Sequence, residues 1–346
     1  MIRLADLLRR LRFCVPVAIF AGITMVSNAD ALDRIYEKSG ESISGDVMQT
    51  SSQGIQLKRA GNTQNILAGD ILKILHEGDP APLTRGREFA LDGQYQQALT
   101  ELQNVNFSSL KREIVKADAA YYIAMCEAKL ALAGKEPKDQ AQKKLLSFAG
   151  TYRDSWHFYD AAKLLGDLAL AQNDATNALK YYQSLEKAPS TDSKVLSVYL
   201  QGLVQLNKGD LNAALAEFDK VINLKAQTTE TTRLQILAKA GKAMTIAANG
   251  KADEGLELVN ELIRDINPAD VEMAARVYNA QGASYEASGD NEGAIMAYLH
   301  THLMFSAQPD AHAEALKRLV ELWPLVGKPD RAAAARQELQ QRYPGF

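Results

Sequence analysis

The chain has 346 residues, 47% of them hydrophobic and 23% charged, with a formal net charge of −3. That balance excludes a disordered, collagenous or polytopic membrane protein, and without a basic excess nothing points to nucleic acid. Cys14 and Cys126 are the only cysteines, too few for a disulfide framework. A 7% aromatic content beside abundant alanine leans toward closely packed helices, on a chain too long for one ordinary domain.

At the N-terminus Arg3, Arg9, Arg10 and Arg12 precede an uncharged stretch from Phe13 to Val26, and Ala29-Asp30-Ala31 follows. A positive flank, a short apolar core and small residues are the parts of a secretory signal peptide. The core of 14 residues falls short of the roughly 20 that a spanning helix needs. Residues 1–31 are therefore read as a signal peptide and the chain as periplasmic or secreted, with cleavage after Ala29 or Ala31. Cleavage after Ala31 removes four Arg and two Asp, which takes the charge from −3 to −5 and leaves Cys126 alone. Cys126 lies in a helical pattern and is expected to pack inertly.

Residues 32–79 change to period two. Ile43, Gly45 and Val47 alternate with Ser44, Asp46 and Met48, and Ile55 and Leu57 alternate with Gln56 and Lys58. Turn clusters at Ser39-Gly40, Ser51–Gly54 and Ala60–Asn62 divide the runs into four or five short antiparallel strands. The rhythm resembles small SH3-like or Sm-like barrels. Such a unit buries little core alone and is expected to pack on the first helices through Asp79–Pro82.

Beyond residue 80 the apolar period becomes helical and a unit recurs. Turn residues stand at Gly93, Asn173, Gly209, Gly250, Gly289 and Gly327. Seven positions earlier lie Gly86, Gly166, Gly202, Ala243, Gly282 and Val320, and five positions later Ala98, Ala178, Ala214, Gly255, Ala294 and Ala332. Four further on come Leu102, Tyr182, Phe218, Val259, Tyr298 and Arg336. Small residues at one spot on each helix let two backbones approach, and the large residue fills the groove beside them. A pair of helices still exposes an apolar side, so neighbours must stack.

These stretches resemble the tetratricopeptide repeat (TPR) family. With one degenerate unit around Ala117–Gly150, the resemblance implies about seven helix pairs over residues 80–346. The fold class is thus mainly α, a right-handed α-solenoid behind a small antiparallel β-rich unit. Spacings of 36, 41, 39 and 38 exceed the family's 34, so longer connections are expected. Val320, Arg336 and Trp323-Pro324 mark the last unit as an atypical cap, with Pro324 ending its first helix early.

Chemistry is sparse. No phosphate loop, Gly-x-Ser-x-Gly elbow or His-Glu-x-x-His helix occurs. Ser184–Lys187 fits Ser-x-x-Lys without the companion motifs of such hydrolases. His300 and His302 are two apart, so on a helix they diverge by about 200°. With His312 beyond Pro309, surface or groove histidines are expected and a metal site is not. Trp156–Tyr159 reads as core between repeats. No catalytic residue, cofactor or metal is assigned.

The family resemblance implies that first helices line a concave groove, and the small residues set its register. Groove candidates are Asp160, Lys163 and Asp167; then Leu196, Tyr199, Leu203 and Asn207. Further along stand Arg276, Asn279 and Glu286, then Glu314, Lys317 and Glu321. This groove is apolar in its middle and mixed-charged at its ends, which suits a protein or peptide segment. The reading is a non-catalytic exported scaffold without nucleic-acid partner or stable membrane span. The alternative is a self-associating structural or assembly accessory of the cell envelope, a homo-oligomer.

Overall fold

The computed structural model describes residues 32–345, so the leader read at 1–31 lies outside them. Five strands come first: β1 (Asp33–Glu37), β2 (Ser42–Ser51), β3 (Gly54–Arg59), β4 (Asn62–Leu67) and β5 (Ile71–Leu75). They pair antiparallel in the order β4-β3-β2-β1-β5. Alternation decides which face is buried: Val47, Ile55 and Leu57 turn inward while Asp46, Gln56 and Lys58 face water. Gly54 opens β3 with φ +147°, and a Cβ there would stand 2.0 Å from the Ile66 carbonyl oxygen, so only glycine fits.

Ile35, Leu57, Ile71 and Ile74 form the heart of this small core, and Trp156 from the helical region completes it. That corrects the expectation for Trp156, whose indole covers the sheet instead of filling space between repeats. A five-stranded sheet of this size leaves one apolar side open, and the bulky indole closes it.

Seven helix pairs follow. They are α1 (Ala81–Leu91) with α2 (Tyr95–Leu102), α3 (Glu113–Leu132) with α4 (Lys138–Thr151), and α5 (Phe158–Ala171) with α6 (Ala175–Ser184). Next come α7 (Thr191–Asn207) with α8 (Leu211–Ile222), and α9 (Thr229–Ala248) with α10 (Ala252–Asp265). The last two are α11 (Val271–Ser288) with α12 (Asn291–Met304), and α13 (Pro309–Leu322) with α14 (Pro329–Arg342). The degenerate unit is the second pair, its turn lengthened by Lys135-Glu136-Pro137.

All six anticipated turn residues have positive φ, from +59° at Asn173 to +84° at Gly250, and Gly134 joins them at +71°. After several of these turns an Asp caps the next helix: Asp174, Asp210 and Asp290 accept from the backbone N–H groups of Asn177, Ala213 and Gly293. The small–large pairing is equally direct. A Cβ on Gly166 would meet the Tyr182 ring at 2.3 Å, and one on Gly282 would meet Tyr298 at 2.6 Å. Phe218 lies between Gly202 at 2.7 Å and Gly241 at 2.5 Å, so one ring joins the fourth pair to the fifth. Burial of each such ring contributes about 1.5–3 kcal/mol.

The last pair is a cap. Pro324 lacks the donor a helix needs, so α13 stops at Leu322 and a 3-10 turn, Trp323–Val326, follows. Only Ala332 of α14 is buried, and Arg336 faces solvent. Pro309 opens α13 at its first turn instead of closing α12, a position where its missing N–H costs nothing.

Two sets of long-range contacts join distant parts of the described chain. The β unit is tied to the second and third pairs: the Arg112 guanidinium donates twice to the Asp33 carboxylate at 2.7 Å, and Gln53 reaches the Tyr159 hydroxyl at 3.1 Å. At the other end, Lys138 donates to the Gly345 carbonyl at 2.6 Å, and Gly345 lies against the Gly134 turn. The seventh pair therefore returns to the second, and the solenoid closes on itself.

Candidate functional site

Closure gives the repeats an interior. Lys129 on α3 is an electrostatic neighbour of Lys163 and Asp167 on α5, of Glu272 on α11 and of Asp310 on α13. Tyr199 on α7 sits in the field of Arg233 on α9, Glu272, Arg276 and Asp310. First helices of six successive pairs thus present side chains to one space.

Neighbouring first helices are laced together along this surface. Asp192 accepts from the Thr228 and Thr231 hydroxyls at 2.6 and 2.7 Å. Arg233 donates to Asp270 at 3.0 Å and Glu272 at 2.5 Å. Arg276 reaches Asp310 at 2.7 Å and Glu272 at 3.2 Å. Lys163 pairs with Asp167 at 2.7 Å, and the Tyr182 hydroxyl donates to the same carboxylate at 2.9 Å.

The electrostatics follow from this lacing. Burial opposes charge on Asp310, yet the Arg276 guanidinium holds its pKa at about 2. Burial likewise opposes charge on Lys163, and the Asp167 carboxylate outweighs it, raising the pKa. For Lys129 burial wins and lowers the pKa, with Lys163 adding to the effect. The Lys129 side chain has no hydrogen-bond or ion-pair partner among the described residues. It is an ammonium left available to a ligand's acceptor.

Of the sequence-derived candidates, Lys163, Asp167, Tyr199 and Arg276 come together in this interior. Leu196 and Leu203 are half-buried beside Tyr199, against the core of the middle pairs. Asp160 and Asn207 are exposed at the two ends of their helices. Asn279 donates to the Ala311 carbonyl at 2.9 Å, which spends it on joining α11 to α13. Glu286 accepts from the Tyr298 hydroxyl at 2.5 Å, and Arg318 gathers Glu286, Glu314 and Glu321 within 3.6 Å. Lys317 and Glu321 line a separate cleft between α13 and α14, with Leu339 and Tyr343.

Four participants escaped sequence reading: Asp192, Arg233, Glu272 and Asp310. Each stands ten positions before the small residue of its pair (Gly202, Ala243, Gly282 and Val320), so the register extended one turn further back would have found them. Lys129 carries no such signal, because the second pair is out of register.

Two features flagged for chemistry resolve simply. The Ser184 hydroxyl donates to the Tyr181 carbonyl at 2.6 Å, a local helix-end bond. Cys126 is buried, and burial pushes its thiol up to about 12. Of these three histidines, His312 departs from expectation: it is fully buried and joined to His302, while His300 is exposed as expected and stacks on Tyr278 at 4.6 Å. His312 is buried because both ring nitrogens find polar partners there, the His302 ring and the Tyr343 hydroxyl, which offsets the cost of taking its polar atoms out of water.

No protein-family model matches the sequence, and no curated protein matches it. Solved structures do. A crystal structure of a tetratricopeptide repeat protein from Parabacteroides merdae superposes with a TM-score of 0.52 at 15% identity, covering 75% of this chain and 91% of the other. A Rap protein, crystallised with competence and sporulation factor, gives 0.49 at 14% identity over 77% of this chain and 76% of its own. The class is therefore a TPR-type α-solenoid preceded by a five-stranded antiparallel sheet. No helix among the described residues is long and apolar enough to cross a membrane.

Proposed function

We propose that this protein is a non-catalytic, exported scaffold that holds a protein or peptide segment inside its closed repeat array. One observation carries the reading: first helices of six pairs direct side chains into a common interior. Leu196, Tyr199 and Leu203 supply an apolar anchor there. Lys129 and Lys163 on one side, with Arg276 and Asp310 on the other, select orientation and register. Arginine and carboxylate groups already satisfied by each other keep the wall rigid, while the unpartnered Lys129 offers a free donor.

The test is capture from a cell-envelope extract by the full chain, with crosslinking and mass identification of what is held. Lys129→Ala with Lys163→Ala is expected to reduce capture of the same species while the chain keeps its helical signal, with a lower melting temperature from the Asp167 carboxylate that loses its partner. Undiminished capture by that double variant would overturn the placement. Export is tested by the mass of the chain recovered outside the cytoplasm: a start at Asp30 or Leu32 supports it, and intact Met1 sinks it.

One observation favours the second reading, self-association. Met296, Leu303 and Met304 of α12 stand 58%, 68% and 70% exposed at positions that share a helix face. Sedimentation velocity decides: a strict monomer at cellular concentration removes this alternative.

A further inference from the structure

The last two helix pairs bring three metal-ligating side chains to one point. His302 is on α12, His312 on α13 and Glu338 on α14, and one ligand atom from each lies within 4.8 Å of the others. His302 Nδ1 and His312 Nε2 face each other at 2.8 Å in nearly coplanar rings. Glu338 Oε1 stands 3.9 Å from His312 Nε2, and its Oε2 stands 3.9 Å from His302 Nε2, the other nitrogen of that ring. We propose that His302, His312 and Glu338 form a site for a divalent transition metal of the zinc type, which locks the terminal helix α14 onto α12 and α13.

The donor set has the right chemistry. Two imidazoles and one carboxylate suit zinc and its neighbours, with a fourth position left to water. Zinc–nitrogen bonds near 2.1 Å at tetrahedral angles need the two nitrogens about 3.4 Å apart, so the rings have to part by about 0.6 Å and tilt until both lone pairs meet at the ion. His312 is held from behind: its Nδ1 lies 2.7 Å from the Tyr343 hydroxyl, and an Nδ1–H donated there leaves Nε2 free as a ligand. Arg342 holds Glu338 Oε1 at 3.1 Å, while Oε2 is the oxygen nearer His302. His302 and Glu338 are 21% and 35% exposed, so an ion has a path from solvent although His312 is buried.

The three ligands come from three helices, and α14 buries almost nothing else. An ion here would supply the cap with the fixation that its own apolar surface lacks.

The test uses the untagged full chain, stripped with chelator and titrated with Co²⁺ as a spectroscopic stand-in for Zn²⁺. One equivalent per chain with the strong visible bands of a four-coordinate ion is expected, together with a higher melting temperature in Zn²⁺. Because His312 is buried, the variants are His302→Gln and Glu338→Gln, whose side chains reach solvent. Each is expected to abolish the bands while keeping the helical signal of the apo protein. Tyr343→Phe should weaken binding about tenfold to a hundredfold. His300→Gln is the control and should bind as the parent does. Absence of stoichiometric binding, survival of the bands in both ligand variants, or their loss in His300→Gln overturns the proposal.

Discussion

The carbonyl of Gly345 receives the Lys138 ammonium at 2.6 Å, so the end of the chain is fastened to the turn of the second helix pair. A Cβ on Gly134 would stand 2.6 Å from the Gly345 nitrogen. The φ of +71° at that turn is a conformation that Asn also tolerates. Gly134→Asn therefore separates turn strain from closure. It should open the array and raise the radius of gyration in small-angle scattering. Gly209→Asn, at a turn of the same kind with open space around it, should leave the radius unchanged.

Close packing inside each pair predicts a second outcome. Gly166→Ala puts a methyl 2.3 Å from the Tyr182 ring, and relief requires the two helices to part. Loss of about 1–3 kcal/mol is expected in urea unfolding. Tyr182→Leu in the same chain should recover part of it, because the smaller side chain vacates the clash. An additive double variant would show that the pair does not act through this contact.

The junction between sheet and helices predicts acid sensitivity. Arg87, fully buried, donates to Asp118 at 2.9 Å and to Asp79 at 2.9 Å, and His157 lies 2.8 Å from Asp118. Burial raises the pKa of Asp118, but Arg87 and His157 outweigh it and hold the carboxyl well below the ordinary range. Asp33 is likewise depressed: burial is overcome by His76, Arg112 and two backbone N–H groups. Depressed folded-state values mean that this stability is complete above the unfolded carboxyl pKa of about 4 and is lost as the pH falls below it. The melting temperature should hold between pH 6 and pH 5 and fall steadily from about pH 4 toward pH 2. Asp118→Asn should cost about 3–5 kcal/mol at pH 6, since it strips a buried guanidinium of one partner, and should show a smaller drop on acidification. An unchanged drop would assign the acid response elsewhere.

Cys126 predicts silence. A thiol pushed up to about 12 and enclosed between helices carries almost no thiolate at pH 8. A thiol-specific chromogenic reagent should react with it only after denaturant is added, at a rate that follows unfolding. Rapid labelling of the folded chain would contradict the enclosed position.

The helix pairs were readable in the sequence because their determinants are local. Turn residues that accept positive φ and small–large partners sixteen positions apart act within one pair, so period alone reports them. The β unit was readable as alternation for the same reason. Its mate was not: Trp156 lies far along the chain from the strands it covers, and an aromatic cluster at a helix start has no periodic partner to betray it.

The interior was half legible. Lys163, Asp167, Tyr199 and Arg276 follow from the register of small residues, and Asp192, Arg233, Glu272 and Asp310 follow from the same register extended by one turn. Lys129 in the electrostatic field of Asp310 does not, and neither does His302 facing His312. By itself the sequence determined the repeat, its length and its first-helix face, since each depends on residues within one pair. Tertiary structure alone decided that the array closes from Gly345 onto Gly134. The rotation between neighbouring pairs is small and is set by many contacts at once, and only its sum over the array shows which distant helices share a space.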